Sequence, residues 1–469
     1  MLRCLVFSLL ALSLQAAPKP NILWLIAEDF GPHLGCYGEA QVQTPHLDGL
    51  AARGMRHERF YTTAPVCSPS RSALNTGMYQ TRIGAHNHRS HRDDGFTLPA
   101  GVQLLSQRLR AAGYFTANLK QLPKPADFGG SGKTDWNFSH DPKPFDGENW
   151  EDLRSHQPFY AQLNFQETHR SFHAPAKVDP AKVKLPPYYP DHEITRRDWA
   201  QYLDSAMELD RKVGLVLELL KRDGLADNTI VCFFADNGAA HVRAKQFCYE
   251  EGLQVPFILY WPAALNPPAD YQAGQVSRRL LLSLDLHAAA LDWAGAALPA
   301  NLDGQVFLGP QAQPPRQVVF GARDRCDETV LRLRSARDER HRYILNLDPG
   351  KPLLLANAYK AQQYPVWNLI GELKASGQLS PEAQTLAIEA LPEEELYDLE
   401  ADPHQLHNLA QSPQHQEIRR RLRAEVEAWM QQTQDQGRQP EPEALVRNQG
   451  YRKGMPAKKR AKAAKPKSP

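Results

Sequence analysis

Positions 21–27 read Asn-Ile-Leu-Trp-Leu-Ile-Ala, bounded by Pro20 and by the pair Glu28-Asp29. A strand with one wet face alternates, so this unbroken apolar run predicts a strand buried on both faces. Runs of the same texture stand at 114–119, 158–165, 229–235 and 255–261. Between them the apolar positions take helical spacing. Trp199, Tyr202, Leu203, Ala206, Leu209, Val213, Val216, Leu217 and Leu220 fall three or four apart and predict a helix over about 195–221. A shorter helix is expected near 46–53 and an extended stretch at 55–61. Strands alternating with helices predict an α/β fold with a large, mostly parallel central sheet flanked by helices. Ligands of such sheets bind beyond the carboxyl ends of the strands. Glu28-Asp29 and Asp236-Asn237 both follow apolar runs directly, so the two pairs are expected to converge there.

After about Pro310 the pattern shortens to strand-like runs at 317–321, 330–335 and 341–347, then a helix near 416–433. The expected organisation is an export leader over 1–17 and a catalytic α/β domain over 18–315. A smaller C-terminal α+β subdomain with an antiparallel sheet over 316–435 and a flexible basic tail over 436–469 complete it.

Charge and cysteine content sharpen this picture. The net charge is +2, but Arg452 to Lys467 carries eight basic residues and no acidic one, so the rest of the chain stands at −6. That balance argues against a nucleic-acid-binding body; the tail reads as a solvated segment, with a polyanion or membrane contact as its alternative. Arg3, the apolar run Leu5 to Leu14 and the small pair Ala16-Ala17 form a leader too short to span a bilayer, and no later segment is long enough. An exported protein, periplasmic or extracellular and without an integral membrane segment, is expected. Cys4 would leave with the leader, and Cys36, Cys67, Cys232, Cys248 and Cys326 remain. Their number is odd and none has metal-ligand spacing, which flags a special thiol.

The strongest chemical signal is Cys67-Ser68-Pro69-Ser70-Arg71, followed by Ala73-Leu74 and Thr76-Gly77. Taken alone it could be a structural cysteine at a helix start, because Ser-Pro commonly opens helices. It resembles the signature of the type I sulfatases, formylglycine-dependent members of the alkaline phosphatase superfamily. The resemblance continues through Asn21 to Asp29, Gly35-Cys36-Tyr37-Gly38, Thr44 to Asp48, Asp236-Asn237-Gly238 and Tyr249 to Pro256. It reaches Glu395 to Leu399, Asp402-Pro403 and Asn408-Leu409, and it is closer to the glycan-directed branch, including heparan N-sulfatases, than to lipid-directed enzymes.

The resemblance implies hydrolysis of sulfate esters or sulfamates on a sulfated carbohydrate. Cys67 would be oxidised to formylglycine by a formylglycine-generating or anaerobic sulfatase-maturating enzyme. A hydrated aldehyde offers one hydroxyl to attack sulfur and a second to expel the sulfate, a form of covalent catalysis. Glu28, Asp29, Cys67, Asp236 and Asn237 would hold one calcium ion, an oxygen-rich set suited to a hard cation. Arg71, Lys133 and Lys245 would balance charge, the two lysines on the sulfate, and His169 would protonate the leaving group. His173 is the competitor of His169, and Lys120 that of Lys133. Asp135, His88 in the run 86–92 and Arg323 in Arg323-Asp324-Arg325 are further candidates for reading an anionic sugar.

The sequence departs from the family pattern at Glu28, where an aspartate is usual, and at Asp135, where a histidine is usual. Glu251 and Gln254 depart within the run 249–256. Two rival readings follow: a phosphonate or phosphate ester hydrolase of the same superfamily, and a non-catalytic sulfoglycan-binding protein.

Overall fold

A computed structural model of the chain describes residues 19–91 and 94–441. The expected leader, the basic run after Arg452 and Arg92 lie outside the described residues. The strands of the first half are β1 (Asn21–Ala27), β2 (Met55–His57), β3 (Phe60–Tyr61), β4 (Phe115–Gln121), β5 (Gly147–Asn149), β6 (Phe159–Phe165) and β7 (Thr229–Ala235). They are followed by β8 (Phe257–Tyr260), β9 (Val276–Ser277), β10 (Leu281–Leu282), β11 (Val319–Cys326), β12 (Thr329–Arg337), β13 (His341–Asn346) and β14 (Glu394–Asp398).

Eight of these form one sheet in the order β5-β4-β6-β1-β7-β8-β2-β9. All of its pairings are parallel except those that β8 makes with β7 and β2. Central position explains why β1 and β7 are apolar throughout: β1 is hydrogen-bonded on both edges, and every residue of both strands is buried. Trp24 on β1 packs edge-on against Tyr160 and Phe234, with ring centroids 5.1 and 5.5 Å away. The amphipathic pattern at 195–221 becomes the helix Glu193–Arg222, which lays Trp199, Tyr202, Leu209, Val213 and Val216 into the same core.

The extended stretch at 55–61 divides between two sheets. β2 joins the central sheet, whereas β3 pairs with β10. The C-terminal part forms an antiparallel sheet in the order β11-β12-β13-β14, covered by the helix Gln416–Gln432. β14 is the strand that apolar patterning missed, because it begins with two glutamates. Glu395 is buried and accepts hydrogen bonds from the hydroxyls of Tyr249 and Tyr397, so its partners are supplied by the fold. A second core joins this sheet to the first half of the chain through Tyr61, Ala73, Phe247 and Leu253.

Because β1, β6 and β7 run in parallel, the segments that follow Ala27, Phe165 and Ala235 emerge at one edge. The helix Cys67–Thr76 points its first turn at that edge and has all ten residues buried. It stops at Gly77, whose φ of 68° favours glycine and where a Cβ would lie 2.8 Å from the ring of His287.

Candidate active site

The first residues after β1 and β7 interlock. The Asp29 backbone amide donates to Asp236 Oδ1 at 3.0 Å, and Asn237 Nδ2 donates to Asp29 Oδ1 at 3.0 Å. Asp29 adopts a φ of 52°, which turns its carboxylate back over the end of the strand. From the helix start, Cys67 Sγ lies 3.6 Å from Asp29 Oδ1, and Arg71 Nε donates to Asp236 Oδ2 at 2.7 Å. Arg71 Nη1 also reaches Asn164 Oδ1, at 2.7 Å. Asn164 is a polar residue in the otherwise apolar end of β6, a sequence signal that could have marked it as part of the site.

Two lysines enter from loops. Lys245 Nζ donates to Asp29 Oδ2 at 2.6 Å and lies 3.3 Å from His169 Nε2. Lys133 Nζ donates to Glu28 Oε2 at 2.7 Å, and Ser131 Oγ reaches the other oxygen of Glu28 at 3.3 Å. His169, on the segment after β6, brings Nε2 to 3.7 Å from Asp29 Oδ2. Its neighbour Arg170 is clamped on both oxygens of Asp198. Tyr359 lies under Lys245, whose ammonium is 5.4 Å from the ring centre; nothing in the sequence pattern singles this tyrosine out.

These contacts set the charge states. Burial would raise the carboxyl of Asp29, but Lys245, His169 and Lys133 together hold it well below the usual carboxylate range. Glu28 is likewise lowered, against its burial, by Lys133 and Arg71. Burial pushes the Cys67 thiol up to about 12; Lys133 and Lys245 offset only part of this, and Asp29 and Asp236 add to it. A thiol in that setting stays protonated near neutral pH and is a poor nucleophile as it stands. Burial and Lys245 both lower the pKa of His169, which favours the neutral ring.

Asn237 Oδ1 is buried and, among the described residues, accepts no hydrogen bond, although its Nδ2 makes two. An uncompensated buried carbonyl oxygen costs roughly 1–3 kcal/mol, and a cation would satisfy it. The same side chain donates through Nδ2 to Asp29, and Asp236 is tied to the Asp29 backbone, so the residues that could offer oxygen to a hard divalent ion stand next to one another. Among the described residues, the group of His, Cys, Asp or Glu ligand atoms that lie within 4.8 Å of one another is Asp29, Cys67 and His169, and it does not include Glu28 or Asp236.

The family profile described as Sulfatase matches residues 20–296, more than half of the chain. The chain belongs to the sulfatase family. As such it is a sulfuric ester hydrolase of the alkaline phosphatase superfamily. An ulvan-active sulfatase of Formosa agariphila is 31% identical over 93% of this chain and 78% of its own length. Human N-sulphoglucosamine sulphohydrolase is 27% identical over 91% of this chain and 93% of its own length. Among solved structures, a 2-O GAG sulfatase superposes with a TM-score of 0.66 at 20% identity, covering 93% of this chain and 100% of that one. A phosphonate monoester hydrolase from Silicibacter pomeroyi gives 0.63 at 19% identity, over 89% and 96%. Both share the fold.

The remaining sequence candidates fall into two groups. Lys133 is at the site, whereas Lys120 points outward and pairs with Glu148 at 2.6 Å. His173 lines the outer part of the cleft and His169 its floor. Asp135 is nearby, bound by Arg89. His88 and Arg323, expected to read the substrate, are 6% and 3% exposed, and neither lines the two cavities around Lys133. His88 faces Asp327 at 3.3 Å, and Arg323 donates to Thr329 and packs over Phe247.

Proposed function

We propose that this sulfatase removes sulfate from a sulfated glycan, using formylglycine made from Cys67 and a calcium ion held by Glu28, Asp29, Asp236 and Asn237. The observation that carries this reading is the convergence of Asp29, Asp236 and Asn237 on the Cys67 end of one buried helix. The glycan class is supported by the relatives named for ulvan and for N-sulphoglucosamine.

The hydrated aldehyde would supply an oxygen nucleophile with a second hydroxyl for release of sulfate, and the cation would offset the negative charge gathered there. The protein's own groups do the rest. Arg71, fixed by Asp236 and Asn164, keeps the first helical turn against the end of β7. Lys133 and Lys245 approach from opposite carboxylates and present ammonium groups to an incoming sulfate. His169, a quarter exposed and lining the cleft beside Lys245, would give a proton to the departing oxygen or nitrogen from its imidazolium form, which an arriving sulfate's negative charge favours over the neutral ring.

The test is the mass of the peptide spanning residues 60–82, from protein made with a formylglycine-generating partner. The expected result is the aldehyde mass at position 67, together with sulfate release from aryl and glycan sulfates that is lost in Cys67→Ala. Unmodified Cys67 in active protein would refute the nucleophile. The phosphonate reading is favoured only by the shared fold; it predicts faster turnover of a phosphonate monoester than of the matched sulfate ester.

A further inference from the structure

We propose that Arg89, held in place by Asp135, is a direct contact for the substrate's anionic group and forms a third cationic arm of the cleft beside Lys133 and Lys245. This rests on the sulfatase reading above and extends it to a residue that sequence comparison with the family does not supply. The position two residues after Lys133 departs from the family pattern, and the structure shows what accompanies the change. Asp135 accepts from Arg89 Nε at 3.1 Å and from Nη2 at 3.0 Å.

The pair is asymmetric. The Asp135 side chain is 3% exposed and the Arg89 side chain 29% exposed, so the acid is sunk in the wall and the base stands in the opening. The clamp uses one edge of the guanidinium. Among the described residues Nη1 makes no hydrogen bond, which leaves the other edge for a ligand. A planar fork braced from behind by a carboxylate is preorganised for two oxygens of a sulfate.

The backbone places this fork beside the reacting group. Arg89 and Asp135 both take left-handed conformations, with φ of 56° and 49°, and the Arg89 amide donates to Ser68 Oγ at 3.3 Å. Ser68 follows Cys67 in the helix, so the arginine is tied to the turn that carries the nucleophile. Two cavities, of about 710 and 670 Å³, open on either side, and both are lined by Arg89 and Lys133. One contains His169, His173 and Lys212; the other contains Trp136, Phe138 and His140. An anion at their junction meets both cations.

The experiment measures binding of inorganic sulfate by calorimetry on the Cys67→Ala protein, and KM and kcat for 4-nitrocatechol sulfate on protein with Cys67 intact. Arg89→Ala is expected to weaken sulfate binding and raise KM about tenfold or more, the effect of losing a charge-assisted hydrogen bond. Arg89→Lys should recover part of the affinity, because the charge returns without the fork. Asp135→Asn should weaken binding less than Arg89→Ala does. If Arg89→Ala fails to fold, Arg89→Gln, which keeps the stem and an amide donor toward Asp135, takes its place. Unchanged sulfate affinity and KM in the folded variant overturn the contact and leave the sulfatase reading intact. Arg89-dependent binding in a protein that releases no sulfate supports the contact and counts against the proposed reaction instead.

Discussion

Arg71 Nε and Asp236 Oδ2 lie 2.7 Å apart in a pair that is 2% and 0% exposed, and with the Ser70 hydroxyl, which donates to the Asp236 carbonyl, it ties the Cys67 helix to the end of β7. Removing one partner strands the other as a buried charge, which costs about 3–5 kcal/mol. Arg71→Met is therefore expected to lower the unfolding free energy by that amount in a denaturant titration, and to abolish sulfate release. A stability within 1 kcal/mol of wild type, on the order of a surface pair, would contradict the burial argument.

Lys120 and Lys133 separate cleanly. Lys120 makes a half-exposed pair with Glu148, so Lys120→Ala should change stability by less than about 1 kcal/mol and leave kcat/KM near wild type. Lys133→Ala removes the partner of Glu28 and a positive group from the cleft, and a fall in kcat/KM of about 100-fold or more is expected. Steady-state kinetics on the two variants, side by side, checks the assignment; equal effects would refute it.

His169 acts on the leaving group in the proposed reaction. His169→Ala should cost about 100-fold or more with an alkyl or sugar sulfate, whose departing oxygen needs a proton, and much less with a nitrophenyl sulfate. A rate loss independent of leaving-group acidity would assign His169 to binding rather than proton transfer.

Asn237 Oδ1 has no hydrogen-bond partner among the described residues, and a bound cation would supply one. Calcium at 100 times its Kd should stabilise the wild-type protein by about 2.7 kcal/mol, read as a rise in melting temperature over a chelator-treated sample. Asn237→Ala should shrink that rise. An unchanged calcium response would remove Asn237 from the proposed ligand set.

Acid lability has a source far from the reaction. His57 is 2% exposed, stacks on Phe257 with centroids 4.6 Å apart, and among the described residues has no hydrogen-bond partner on either ring nitrogen. Burial, with Arg279 adding to it, lowers its pKa from 6.5 to about 3. The unfolded chain therefore takes up a proton that the folded chain refuses. This contribution to stability is complete above pH 6.5 and declines as pH falls toward about 3, at about 1.4 kcal/mol per pH unit. His57→Phe should flatten the decline between pH 6 and 4 in urea titrations, and parallel curves for the two proteins would refute the assignment.

Sequence alone determined the central strands, because a strand paired on both edges must be apolar along its length, as β1 and β7 are. It also marked Cys67, Arg71, Asp29, Asp236, Asn237 and Lys245, whose chemistry is written in local runs beside those strands. Only the tertiary structure showed where the two candidate lysines reach: Lys120, near the end of β4, pairs outward with Glu148, whereas Lys133, on the segment after β4, meets Glu28. It alone buried His88 and left its neighbour Arg89 part-exposed at the cleft, because neighbours in a polar run carry the same pattern and different exposures. Tyr359 and Asn164 reach the site by long-range packing, and β14 earns its place through tyrosines supplied from elsewhere. Local periodicity reports what a segment buries; which distant groups it meets there depends on how the whole chain closes.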